Sequence, residues 1–136
     1  MSNHAIEFHD LNVGHRFPPA RYQLDSGMVA AYLEAVEETS ALYRESDLVP
    51  PMAVAALAMA ALSESLAFPS GAIHVSQELE FMDVVTTGDS LTSHASVSRK
   101  QERGKLHMLT IDFNVVNQAE KPVLSGKTSF ILPVTD

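Results

Sequence analysis

Residues 51–68, PMAVAALAMAALSESLAF, carry no charge before Glu64 and read as one helix that is apolar on every side. A surface helix normally sets an apolar stripe against a charged face, so a helix lacking that contrast is expected to be buried all round. It falls short of the ~20 apolar residues that a bilayer crossing needs. Its alanines allow surrounding backbone to come close, and the segments that follow supply the wrapping. The expectation is a single buried helix with an antiparallel sheet curled around it. Pro51 suits the first helical position, where its missing N–H would be unpaired anyway. Pro69-Ser70-Gly71 marks the stop.

From residue 72 onward the apolar period becomes two. Ile73, Val75, Leu79 and Phe81 alternate with His74, Ser76, Glu78 and Glu80, which predicts a strand with the apolar set on the core and His74 on the polar side. Leu91, Ala95 and Val97, then Leu109, Ile111, Phe113 and Val115, then Leu124, Thr128, Phe130 and Leu132 continue the series. Gln101-Glu102-Arg103-Gly104 and Asn117-Gln118-Ala119-Glu120 have the composition of hairpin turns. Upstream, Arg21-Tyr22-Gln23-Leu24 is a short strand candidate. Asp25 or Ser26 offers a cap for a helix with Val29, Tyr32, Leu33 and Val36 on one face. A strand, a helix, the apolar helix and four strands make an α+β arrangement, with residues 1–136 expected to form one domain.

Composition narrows the partners. Nine Lys/Arg against seventeen Asp/Glu give a net charge of −8, a poor footprint for nucleic acid. No cysteine is present, so neither a disulfide framework nor a thiolate metal site is expected. His74, His94 and His107 share no ligand-like spacing, and His4, His9 and His15 lie in a tail-like segment; no metal is expected. The N-terminal stretch lacks the apolar and basic regions of a signal peptide, so a cytoplasmic protein without a membrane role is the default expectation. Glu34, Glu37 and Glu38 fall in the C-terminal half of the first helix, where the dipole disfavours negative charge. They are either a solvated face or a carboxylate held for use.

In order and spacing the chain resembles the MaoC-like branch of the hotdog fold, which holds (R)-specific enoyl-CoA hydratases and 3-hydroxyacyl dehydratases. Leu11-Asn12-Val13-Gly14 is similar to that family's opening, and Val49-Pro50-Pro51-Met52 to the lead-in of its central helix. The stretch from Ile73 to Phe81 followed by Gly88-Asp89-Ser90-Leu91 is similar to its "H-x-x-Q-x-x-x-F … G-D-x-L". The resemblance implies a sheet of about five strands around the long helix. It also implies an acyl-thioester substrate whose coenzyme A or acyl carrier needs no further cofactor, and a homodimer or higher homo-oligomer with sheets paired edge to edge. The hydratase motif (acid, spacer, Asn, Pro, apolar residue, His) is matched in spacing by Glu38-Thr39-Ser40-Ala41-Leu42-Tyr43, with the acid–histidine pair replaced by Glu38 and Tyr43.

By that resemblance Glu38, Tyr43 and His74 are the candidate catalytic residues. Glu38 would hold a water, assisted by Tyr43 or His74. A phenol of pKa ~10 shuttles protons less readily at neutral pH than an imidazole of ~6.5. Ser40, Met52 and Ala53 are candidate substrate contacts, the last two through backbone N–H groups at a helix N-terminus, where developing negative charge is stabilised. Each has a plainer reading: Glu38 as a solvated helix-end carboxylate, Tyr43 as a packed ring, Ser40 as a local hydrogen-bonder, His74 as solvated. Arg99, Lys100, Arg103 and Lys105 straddle one turn, either to grip the carrier's phosphates or as solvated turn charges. Two other activities remain open: a non-catalytic partner of an active hotdog subunit, and a thioesterase using Glu38 or Glu64.

Overall fold

The computed structural model describes residues 8–133, so His4 lies outside the described residues. In chain order the elements are β1 (Ala20–Gln23), α1 (Ser26–Ala35), α2 (Ala41–Arg44), α3 (Pro51–Ser65), β2 (Ile73–Phe81), β3 (Ser90–Arg103), β4 (Leu106–Val116) and β5 (Pro122–Pro133). The five strands form one sheet, ordered β1-β3-β4-β5-β2 and antiparallel at every pairing. This is the α+β hotdog arrangement. No helix among the described residues is long and apolar enough to cross a membrane.

Local chemistry accounts for the boundaries. The Asp25 carboxylate accepts from the Met28 N–H at 2.8 Å and caps α1. The β3–β4 hairpin turns at Gly104 and Lys105, with Gly104 at φ +58. In the β4–β5 turn the Asn117 side chain accepts from the N–H groups of Ala119 and Lys121. Gly126 faces the Phe113 ring across β4–β5, where a Cβ would collide with that ring and approach the Glu78 carbonyl.

α3 departs from all-round burial. Ala53, Val54, Ala55, Ala58 and Leu62 are buried against the sheet, whereas Met52 is 50% exposed and Ala56, Ala60, Ser63 and Glu64 are also exposed. One sheet covers one side of a helix, and alanine is as tolerable at a surface as in a core. The helix also stops at Ser65, because Leu66 turns to extended backbone and buries itself in the core.

The polarity of β2 departs as well. The pairing with β5 slips between His74 and Ser76, a bulge that reverses which residues face α3. Ile73 and Val75 are 57% and 43% exposed. His74 instead lies on the core side, opposite Phe130: its Nε2 is 2.6 Å from the Thr128 hydroxyl and its ring stacks on Phe130 at 4.9 Å.

The core divides along α3. One cluster surrounds the first half of the helix and includes Leu24, Val29, Val49, Val54, Leu91, Phe113 and Leu124. The other surrounds its last turn with Phe8, Phe17, Leu62, Leu66, Leu109, Phe130 and Leu132. On the β3 side of the sheet, residues 14–17 continue the pairing beyond β1, through the N–H groups of Gly14 and Phe17 to the carbonyls of Val97 and Ala95. The outer edge of β2 pairs with no described strand.

Candidate functional site

The prolines at the start of α3 decide where unsatisfied polarity accumulates. A helix leaves its first N–H groups without intrahelical partners, and no side chain caps α3, since Pro50 occupies the cap position and Pro51 the first turn. The Ala53 N–H donates to the Pro50 carbonyl at 2.9 Å. Of the two sequence-predicted backbone donors, Met52 is the one without a backbone acceptor among the described residues, Ala53 is spent within its own turn, and neither is in the lining of the cleft beside them.

Beside this helix end opens an apolar cleft of about 520 Å³. Tyr43, Val49, Pro51 and Val54 line one wall, and Phe81, Val84 and Leu124 the other. Tyr43 is half-buried, its ring against the first core cluster. The far wall is formed where β2 ends and its alternation gives way to Met82-Asp83-Val84-Val85. That stretch carries no sign of function in the sequence, because it meets the helix end only in three dimensions. At the rim, Asp83 pairs with Lys121 at 2.7 Å and accepts from the Val84 N–H at 2.8 Å. The Lys121 hydrogen bond, seconded by the Val84 N–H, holds the Asp83 carboxyl below its usual range. Asp83 in turn raises the Lys121 ammonium.

The loop before α3 is organised by its own side chains. Ser40 Oγ accepts from the Leu42 N–H and caps α2. The Glu38 carboxylate accepts from the Ser40 N–H at 2.9 Å, and the Arg44 guanidinium donates to the Glu38 carbonyl at 3.3 and 3.2 Å. Glu38 is half-buried but outside the cleft lining. Ser40 thus has a structural task, and Glu38 keeps one carboxylate oxygen beyond the one that fixes the loop.

His74 does not join this group within one chain. It stands seven residues from Phe81 along β2, about 23 Å at the usual strand rise. The basic turn is also remote: Leu106 pairs with Pro133, at the opposite end of β5 from the cleft residue Leu124. There Lys100 donates to the carbonyls of Phe8 and Leu11 at 3.1 and 2.8 Å, with its ammonium 4.5 Å from the centre of the Phe8 ring. It ties down the N-terminal segment. Glu64 is exposed in the last turn of α3, away from the cleft.

Tyr22, on β1, faces the first core cluster with its hydroxyl buried. Burial pushes its phenol above the usual value, while the Ser93 hydroxyl acts weakly the other way. A wider groove of about 1050 Å³ crosses the outer sheet face, lined by Glu78, Glu80, His94, Asp112 and Lys127 among others. It lies on the side away from α3, and its charges neutralise one another laterally, Lys127 standing opposite both Glu78 and Asp112. The smaller apolar cleft is the better candidate because it adjoins the uncapped helix end. Among the described residues no group of three or more His, Cys, Asp or Glu is placed to hold a metal ion.

A family model described as FAS1-like, dehydratase domain region, matches residues 12–125. No curated protein matches the chain. Among solved structures, the (R)-hydratase PhaJ1 of Pseudomonas aeruginosa is similar with 22% identity over 93% of this chain and 85% of that one, at a TM-score of 0.76. The MaoC-like dehydratase of Rhodospirillum rubrum is similar with 20% identity over 97% and 99%, at 0.77. A chain of the ChsH1–ChsH2 complex of Mycobacterium tuberculosis is similar with 15% identity over 89% and 98%, at 0.73.

Proposed function

We propose, from the premise that this chain belongs to the FAS1-like dehydratase-region family of MaoC-like hotdog folds, that it binds an acyl thioester in the Tyr43 cleft and hydrates an enoyl group or dehydrates its 3-hydroxy counterpart. The observation that carries this reading is the uncapped, proline-led start of α3 opening beside an apolar cleft. A thioester carbonyl there would receive the Met52 N–H, and the helix dipole would favour the negative charge that develops on its oxygen. The apolar walls suit the acyl group and exclude water from the reacting bond.

In the hydration direction, a water held by the free oxygen of Glu38 adds its oxygen to the β carbon. Glu38 takes the water's proton, the electron pair moves to the thioester oxygen as an enolate, and the proton is returned at the α carbon. The Tyr43 hydroxyl would orient the water or the carbonyl. His74 has no part in this within a single chain. Two copies paired antiparallel along their open β2 edges would bring each His74 toward the Phe81 end of the other, which keeps a role for it conditional on a homodimer. The exposed Ile73, Val75 and Phe81 along that edge support such pairing.

The test is hydration of crotonyl-CoA. Wild-type turnover is expected, with Glu38→Gln lowering kcat by about a hundredfold or more, as removal of a general base does. Unchanged turnover in E38Q overturns the role of Glu38, and absence of turnover in the wild type overturns catalysis by this chain alone. A second reading, a thioester-binding subunit of a larger hotdog assembly, is favoured by one observation: Glu38 is outside the cleft lining and half engaged in its own loop. ChsH1–ChsH2 is a complex of two chains. Co-purification of a second hotdog chain that confers activity would select this reading.

A further inference from the structure

A second apolar pocket adjoins the first at Val49 and opens to solvent beside the exposed Ala56. It occupies about 140 Å³ between α1 and α3 and is lined by Leu24, Met28, Val29, Tyr32, Val49, Ala53, Ala56 and Leu57. Val49 is the one residue that lines both this chamber and the Tyr43 cleft. It is 4% exposed, its N–H is fixed to the Val85 carbonyl at 2.9 Å, and two prolines follow it. The partition between the cavities is therefore a side chain on backbone that has little freedom to swing. The first turns of α3 form the rest of the wall, with Pro51 and Val54 toward the cleft and Ala53, Ala56 and Leu57 toward the chamber.

We infer that the α1–α3 chamber is a hydrocarbon subsite beside the thioester cleft, and that Val49 separates it from that cleft, restricting this chain to short acyl groups. The inference rests on the thioester reading of the cleft. The chamber offers no charged group and, apart from the Tyr32 hydroxyl, no polar side chain, so it accepts a hydrocarbon and no polar head group. At about 30 Å³ per water-sized group it holds roughly four or five methylenes, too little for a peptide or helix. The alanines at 53 and 56 create the space, and a larger residue at either position would fill it.

The experiment measures dissociation constants of the protein for saturated acyl-CoAs from butyryl to dodecanoyl, which cannot undergo hydration. In the wild type, affinity is expected to stop rising beyond a short tail. In Val49→Ala, it is expected to keep rising about fourfold per added methylene for roughly four or five further carbons before levelling off. Ala56→Leu on an exposed helix face refills the chamber, so V49A/A56L returns to the wild-type profile. If V49A does not fold, Val49→Cys opens the same wall by less and moves the break in the same direction. A variant that binds butyryl-CoA normally but keeps the wild-type break overturns the chamber and leaves the thioester reading standing. So does a shifted break that A56L fails to restore. Wild-type protein that binds no acyl-CoA at any length overturns the thioester reading itself.

Discussion

The two ends of α3 are packed on different principles. Around its N-terminal half the helix presents Ala53, Val54, Ala55 and Ala58, and the neighbouring side chains leave two apolar cavities. Around its last turn it presents Leu62 and then Leu66 to Phe8, Phe17, Phe130 and Leu132. There Phe130 also meets the tilted ring of Phe68 at 4.7 Å and the stacked ring of His74 at 4.9 Å. Large interlocking side chains fill one end, and small ones on a proline-led helix leave room at the other without loosening the backbone. One element thus serves as an anchor at one end and as the wall of a site at the other.

The strongest way to break that comparison is to cut into the anchor. Phe130→Ala removes a ring that is 6% exposed and touches two other rings, so it is expected to cost about 3–5 kcal/mol. Chemical denaturation would measure it, with acyl-CoA affinity of the folded fraction unchanged. A loss below about 1 kcal/mol would show the closed end to be as yielding as the open one. A parallel loss of affinity would show that the two ends are not separate.

Thr128→Val sharpens the same contrast at smaller scale. Thr128 is fully buried, and its hydroxyl meets His74 Nε2 at 2.6 Å. Removing a typical hydrogen bond costs about 0.5–1.5 kcal/mol, and the residual valine packs as threonine did. Stability is expected to fall by that amount while turnover of crotonyl-CoA stays level. If turnover falls and stability does not, His74 acts on substrate, and the place to look is the cleft of a second copy.

Much of this arrangement is legible in the sequence, and the exceptions have particular causes. The alternation in β3, β4 and β5 reports the buried face correctly because each of those strands has one wet side and one dry side. The same alternation in β2 misleads. The bulge between His74 and Ser76 reverses the facing of everything before it, and a one-residue slip leaves no mark in an apolar–polar string. The alanines of α3 misled in another way, since Ala56 and Ala60 are exposed where a leucine would have been hidden. Pro51 located the uncapped helix end from sequence alone. The opposite wall of the cleft, Phe81 to Val85, was not legible, because it reaches Tyr43 only through the pairing of β2 with β5. Ser40 was legible as a local hydrogen-bonder, and its neighbour Glu38 proves to be part of the same loop chemistry.

The smallest effect belongs to the rim of the cleft, where an exposed ion pair stands in place of a buried anchor. Lys121 holds the Asp83 carboxyl below its ordinary value, so the folded state binds fewer protons there than the unfolded chain. The resulting stability is present above the unfolded carboxylate pKa of about 3.9 and is lost as pH falls through the lowered folded value. Lys121 is raised, so its contribution is present below about 10.5 and is lost as pH rises through the folded value. Between those limits the pair acts in full, but solvent and salt reach it. Asp83→Asn is therefore expected to lower the Tm near neutrality by less than T128V does. The difference should vanish below the carboxylate range and shrink in about 1 M salt, where the screening length is near 3 Å. An unchanged Tm in D83N would mean that the Val84 N–H, and not the charge on Lys121, keeps the rim in place, since an asparagine oxygen can still accept from it.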